Sequence, residues 1–508
     1  CRVRESRHDP PGSTTVSPDP ATRRGRRAFS LPHSPINRSF LFMRCRRVSL
    51  LASVVVTLAG CAGSGPVSAP PAPERTALPA AWQAPVAHGG SITELSAWWA
   101  KVGDDTLPEL VALAQAASPS LSAAQARLER ARAELSIGQA ALGPTLDASA
   151  NATRGNTQYP LPLSRTAGAS LSASWEADLF GRNRFAAQAA QARAEAAQSL
   201  WHDARVVIAA ETAVQYLSLR YCEAVLEQLA ADLRALDALT RLARLHAEAG
   251  LQAPAAAEGA AARQAGASSR LLAQQAACDL DVKALVALTA LAEPDLRQRL
   301  ARHTARELVV PPALVVRSLP AQVVAQRPDV LAAEREVLAA ASLVGEARTL
   351  RLPRLSLGGS IGAFSVQGGP LAADLSTWSI GPIRLQVPVF DGGVAQARVQ
   401  TAQAEFDHAV RQFDAKARQA IREVEEALVQ THFTSQRLTQ VRGARLALER
   451  SLRAAEQRVA AGLDSRQSLE EARRAVIDIR INELATVREG LIAGVSLYRA
   501  AGGGWNTP

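Results

Sequence analysis

Between residues 169 and 180 the chain reads ASLSASWEADLF. Ala169, Leu171, Ala173, Trp175, Ala177 and Leu179 fall on one side, and Ser170, Ser172, Ser174, Glu176 and Asp178 on the other. A period of two belongs to a β-strand with one apolar and one polar face, and about ten residues is what a tilted strand needs to cross a bilayer. The stretch PTLDASANAT (144–153) sets Leu146, Ala148, Ala150 and Ala152 against Asp147, Ser149, Asn151 and Thr153, which makes it the partner strand. A second hairpin is expected over 353–390. Its first strand, PRLSLGGSIGAF, puts Leu355, Leu357, Ile361 and Ala363 on one face, and its return strand runs from Trp378 to Phe390. The phase slips between Ile380 and Ile383 at Gly381-Pro382. Proline has no N–H for the ladder, so a bulge or bend is expected there.

Outside these stretches the period is helical. A helix is expected over about 106–140, followed after the first hairpin by a segment at 182–249 and after the second by one at 391–460. Both long segments lack proline and are rich in Ala, Leu, Gln, Arg and Glu, the strong helix formers. The first would be about 100 Å long, too long for the core of a globule. Gly250 and Gly462 supply the turns, and return helices run to about 290 and 500. Cys222, Leu226, Leu229, Leu233 and Leu236, spaced four and three, trace the seam that helices wound round one another require.

The plan occurs twice. Pro119 and Pro144 fall on Pro328 and Pro353 at an offset of 209, Phe180 on Phe390 at 210, and Leu251 on Leu463 at 212. We read residues 92–310 and 311–508 as two copies of one unit: a helix, a β-hairpin and a long helical hairpin.

Charge and the amino-terminal region change the picture in one respect. A net charge of +10 suggests nucleic acid or an anionic membrane as partner. The first 60 residues hold 11 arginines and 3 acidic residues, leaving 46 basic against 44 acidic in the remainder, so a nucleic-acid partner loses its support. Residues 1–42 are Arg-, Pro- and Ser-rich without periodicity and are expected to be upstream sequence outside the product. Met43 opens MRCRRVSLLASVVVTLAGC, with three arginines, a short apolar run and Leu58-Ala59-Gly60-Cys61. This is the plan of a secretory signal over 43–60, too short for a spanning helix. Its ending resembles a bacterial lipoprotein cleavage box, which implies a mature chain starting at Cys61 with lipid on its thioether and amino group. The alternative is an ordinary signal with a chance cysteine. Residues 61–91, Pro- and Ala-rich, would be an extended tether. No apolar run of 18 residues follows residue 61, which excludes spanning helices.

Two hairpins leave sheet edges unpaired, and in lipid each unsatisfied backbone group costs several kcal/mol. Several chains must therefore contribute strands to one closed barrel. Two chains would fill its interior with side chains, while three, with twelve strands, would leave an opening. The polar faces would line water and the Ala, Leu and Trp faces would meet lipid.

The chain resembles the outer-membrane factors of tripartite efflux and type I secretion systems, the TolC family, most closely the lipoproteins serving RND pumps. The resemblance rests on WEADLFGRNR (175–184), RPDVLAAE (327–334), VPVFDGG (387–393) and LYRAAGGGW (497–505). It implies an α+β membrane protein: a homotrimeric 12-stranded outer-membrane β-barrel, four strands per chain, continued by a long α-helical coiled-coil tunnel through the periplasm. It also implies a periplasmic adaptor and an inner-membrane RND-type transporter as partners, with no cofactor beyond the covalent lipid. Aligned on Gly462, the family's gate aspartate falls on Glu471, and an arginine one turn later on Arg474. A ring of carboxylates in a narrow mouth repels anions and attracts cations. The plainer reading of Glu470, Glu471, Arg473 and Arg474 is a solvated helix face with i,i+3 pairs. The chain departs from the family at Gln467, where related channels often carry a leucine constriction, and at the first turn, AEAGLQAPAAAEGA, which lacks the usual polar and acidic residues and contains Pro254.

Other signals carry less. Gly358-Gly359-Ser360-Ile361-Gly362 fits the G-x-S-x-G pattern of a hydrolase elbow, but that motif needs a strand turning sharply into a helix, and here it lies inside an alternating strand. The eight histidines show no ligand spacing, so no metal site and no enzyme activity are expected. Cys222 and Cys278 lie 28 residues either side of Gly250, at one height in an antiparallel hairpin. They form a disulfide in an oxidising periplasm, or remain two buried thiols if the backbones stand too far apart. The reading is a passive export duct of an efflux pump. Its rivals are a type I secretion duct, a stand-alone porin, which would need many more strands per chain, and a periplasmic coiled-coil scaffold.

Overall fold

A computed structural model describes residues 68–70, 83, 105–156, 163–302, 320–368 and 371–503. Cys61, the expected signal segment over 43–60 and residues 1–42 lie outside the described residues. The chain runs α1 (Thr106–Ala117), α2 (Pro119–Ala140), β1 (Thr145–Gly155), β2 (Ser164–Ala177), α3 (Arg182–Glu248), α4 (Pro254–Thr289) and α5 (Glu293–Leu300). It continues with α6 (Pro320–Gln326), α7 (Pro328–Thr349), β3 (Arg354–Gly368), β4 (Leu371–Gln386), α8 (Val394–Ala460) and α9 (Arg466–Ala500).

Three details differ from the periodicity. The single helix expected over 106–140 is broken at Ser118, whose backbone is extended and whose hydroxyl accepts from the N–H of Leu121 at 3.2 Å. Pro119 at the first helical position both disfavours a helical Ser118 and starts the next helix well. The return strand of the second hairpin begins earlier, at Leu371, and ends at Gln386 instead of Phe390. Pro388 lacks the N–H that would continue the ladder, and Val389 and Phe390 are left exposed. Helices α5 and α6, eight and seven residues long, are too short for their period to stand out.

The two hairpins join into one antiparallel sheet in the order β1-β2-β3-β4. Between Leu357↔Ile383 and Gly359↔Ile380 the register shifts, with Gly381 and the cis-linked Pro382 opposite Gly358 alone. This is the bulge the phase slip predicts. The helices pack as layers below the sheet. Nearer the strands they lie in the order α2-α3-α7-α8, and toward the glycine turns in the order α4-α3-α9-α8. Helices α3 and α8 are each 67 residues, about 100 Å, and pass through both layers. The main core lies where α1, α4, α5 and α9 close on α3 and α8, around Leu107, Leu110, Leu217, Leu285, Leu296, Leu491 and Leu497. Among the described residues no helix is long and apolar enough to cross a membrane.

Candidate channel wall and periplasmic gate

The sheet separates its faces as the alternation requires. On one face hydroxyls pair across strands: Ser149 with Ser170 at 2.9 Å, Thr145 with Ser174 at 2.8 Å and Ser360 with Ser379 at 2.9 Å. Asp147 lies on this face, beside Ser172, which is next to Ser360. The other face presents Leu146, Ile361, Trp378, Ile380 and Ile383, each more than half exposed in the single chain. So large an apolar surface needs a nonpolar surrounding. Trp175, at its helical end, donates Nε1–H to the Leu142 carbonyl at 3.0 Å, the arrangement of an aromatic ring with one polar edge at an interface. Ser360 sits within β3, and no strand-to-helix turn follows it, so the geometry of a hydrolase elbow is missing there.

The four recognition motifs are the joints between layers. In ADLFGR, the Asp178 carboxylate accepts from the N–H groups of Asn183 and Arg184 at 3.2 and 3.0 Å, covering the start of α3, while Gly181 takes φ 81°. In VFDGG, Asp391 accepts from Gly393 and Ala395 at 2.9 and 2.8 Å and does the same for α8. The N–H of Ala395, then that of Gly393, holds its carboxyl below the usual range. In RPDVLAAE, the buried Arg327 pairs with Asp329 at 2.9 Å and Glu423 at 2.7 Å and donates to the Ala500 carbonyl at 3.1 Å, tying α7 to α8 and to the end of α9. In LYRAAGGGW, Gly503 lets the chain just after α9 pass close to α3. Gly503, at φ 69°, lies against Val206, where a Cβ would collide with the side chain.

At the far end, both turns close the same way. Gly250 and Gly462 adopt φ 74° and 71°, and the N–H groups of Leu251 and Leu463 reach back to the carbonyls of His246 and Arg458, each at 2.8 Å. Pro254 starts α4 at its first position, and Ser465 caps α9 by accepting from Ser468. Glu471 is exposed and accepts from Gln467 Nε2 at 3.0 Å. Arg474 does not pair with it. Its Nε donates at 2.7 Å to Asp232 on α3, whose other oxygen accepts from Arg270 on α4 at 2.9 Å. Asp232, with a side chain only 4% exposed, thus fastens both α4 and α9 to α3. Next to it Arg473 holds the buried Glu470 at 2.6 Å.

Asp232 and Arg270 are partners of Arg474 that sequence reasoning missed. The signal was present: Asp232 stands three residues after Leu229 and four before Leu236, a carboxylate on the apolar seam. Higher on the same hairpin, the sulfur atoms of Cys222 and Cys278 are bonded, and their Cα atoms are 5.5 Å apart, inside the range a bridge needs. Gln274 Nε2 donates to Cys222 Sγ at 2.9 Å. Among the described residues no group of acidic, His and Cys side chains is arranged to hold a metal ion.

The family model described as outer membrane efflux protein matches residues 110–291 and 319–503. The chain is 30% identical over 481 residues to the outer membrane protein OprJ of Pseudomonas aeruginosa, covering 89% of this chain and 95% of that protein. It is 29% identical over 455 residues to the pyoverdine export outer membrane protein OpmQ of Pseudomonas putida, covering 84% and 92%. Among solved structures it superposes on the Campylobacter jejuni CmeC outer membrane channel with a TM-score of 0.74 at 22% identity, covering 86% of this chain and 95% of that one. With the family model matched over most of the chain on either side of α5, the chain belongs to the outer membrane efflux protein family and is an outer-membrane efflux channel.

Proposed function

We propose that three copies of the chain close a 12-stranded barrel and a helical tunnel, the passive exit duct of a tripartite efflux pump. The observation that carries this reading is the identity of the free edges. The sheet ends in β1 and β4, the upper helical layer in α2 and α8, and the lower one in α4 and α8. In every layer one edge comes from the first half of the chain and the other from the second. Unlike edges associate head to tail, and such contacts make a ring when the rotation between copies closes. The two family matches begin 209 residues apart, which supports a duplication as the origin of that asymmetry. Three chains give a barrel wide enough to leave a bore lined by the serine face, with the leucine and tryptophan face in lipid. Cys61, acylated, would anchor the amino terminus to the membrane.

The periplasmic tip is the gate. Glu471 from each protomer forms the carboxylate ring of the mouth, and the Arg474–Asp232–Arg270 bridge holds α9 against the first hairpin in the closed state. Opening requires α9 to part from α3, so an adaptor and an RND-type transporter need only displace this ion pair. The test is the purified, acylated protein in detergent and in planar bilayers. A trimer with a small conductance is expected, and Arg474→Ala should raise the open fraction about tenfold, the effect of about 1.4 kcal/mol on a two-state equilibrium. A monomer with no conductance would overturn the reading.

A further inference from the structure

The two faces of the sheet exchange character toward the hairpin turns, at the end farthest from the helices. On the hydroxyl face, the row Asp147–Ser172–Ser360–Ser379 is followed by Ser149–Ser170–Gly362–Thr377. Then come Asn151–Gly168–Phe364–Leu375 and Thr153–Thr166–Val366–Ala373. On the opposite face the same levels turn polar, with Ser365 beside Asp374 and Arg154 beside Arg165 and Gln367. Strands emerging from lipid account for the polar outer side. They do not account for apolar residues appearing on a side that is serine-lined below.

Phe364 is held in a defined position. A Cβ on Gly168 would come within 2.7 Å of Phe364 Cε1 and 3.1 Å of Cγ, and one on Gly362 within 3.2 Å of Cε2. The ring therefore lies along the wall across two glycines, half-buried, with Leu375 beside it 52% exposed. Laid flat, it presents an aromatic face without standing in the bore.

We propose that Phe364 and Leu375 of the three protomers form an apolar collar at the outer end of the channel that favours passage of cations carrying an aromatic or aliphatic body. Asp147, two rows or about 13 Å along the strands beneath, supplies the counter-charge. The ring face attracts such a cation beyond its apolar contact. This inference rests on the barrel reading above. An aromatic ring over a cross-strand glycine also stabilises a sheet on its own, and permeation separates the two roles.

The experiment compares benzyltrimethylammonium with tetramethylammonium, ions of equal charge, by bi-ionic reversal potentials across full-length protein in planar bilayers. The wild type should favour the benzyl ion relative to its mobility in water. Phe364→Ser should lower that permeability ratio about two- to fivefold, while Phe364→Tyr keeps it. Gly168→Ala, which lifts the ring off the wall, should reduce the conductance of both ions. An unchanged ratio in conducting Phe364→Ser channels overturns the collar and leaves the barrel standing. If that variant does not assemble, an unchanged conductance in Gly168→Ala does the same. A wild type that conducts neither ion overturns the barrel reading, and the collar with it.

Discussion

Asp203 and Asp329 show how one cluster of charges sets opposite demands on two carboxylates. Burial pushes the Asp203 carboxyl up, the charge of Asp329 adds to it, and Arg327, Arg499 and Lys416 only partly oppose. Burial pulls Asp329 in the same direction, but the hydrogen bond and charge of Arg327, with Lys416, outweigh it and hold that carboxyl below the usual range. The signs differ in consequence. The Asp329 contribution is present at neutral pH and is lost as pH falls through its depressed folded pKa, whereas Asp203, raised in the fold, favours folding only once protonated. Asp203→Asn should therefore raise the melting temperature at neutral pH, and the gain should shrink as the pH drops into the carboxylate range. A variant no more stable than the wild type at neutral pH would refute this. None of it was legible in the sequence, because Asp203 and Asp329 are far apart along the chain and share no local pattern. The resemblance pointed to Glu471 and Arg474, yet the partner of Arg474 is 242 residues away, on a different helix.

At the scale of elements, the helical hairpins follow from composition and spacing. Proline-free runs of strong helix formers gave α3 and α8 within a few residues, and Gly250 and Gly462 stopped them because only a left-handed residue closes the turn. The ends of strands were less legible. Alternation continues through Val387 and Val389, but hydrogen bonding stops where Pro388 cannot donate. The Cys222–Cys278 bridge fixes the register of α4 on α3 across a separation of 56 residues. Restricting the unfolded chain by a loop of that size is worth about 4 kcal/mol. Cys222→Ser/Cys278→Ser should lower the guanidinium midpoint accordingly. Reduction should have the same effect on the wild type and none on the variant. Labelling of both thiols in folded, unreduced wild type would show that the bridge does not form.

The whole molecule is defined by what its edges leave uncovered. Leu272 and Leu280 on α4 are 62% and 69% exposed, and Phe433 and Leu446 on α8 are 56% and 47% exposed. These are the two free edges of the lower helical layer, and in a ring each would face the other on the neighbouring copy. Leu280→Asp and Phe433→Asp should each weaken association, read as dissociation of the proposed trimer in detergent at lower temperature. Each should leave the helix content of the protomer unchanged, because both side chains are exposed within it. A trimer as heat-resistant as the wild type in both variants would place the interface elsewhere.

The sequence by itself determined the element types, the two-faced strands and the turns, since periodicity, proline and glycine act within a few residues of where they stand. It also carried the family, because the motifs that mark it are the short caps and close approaches at the joints between layers. Tertiary structure alone decided that β2 pairs with β3 to make one sheet of four, that Asp232 fastens Arg270 and Arg474, and that Phe364 lies across Gly168. Each of these joins residues tens to hundreds of positions apart, where the choice of partner depends on which faces the packed helices and strands bring together.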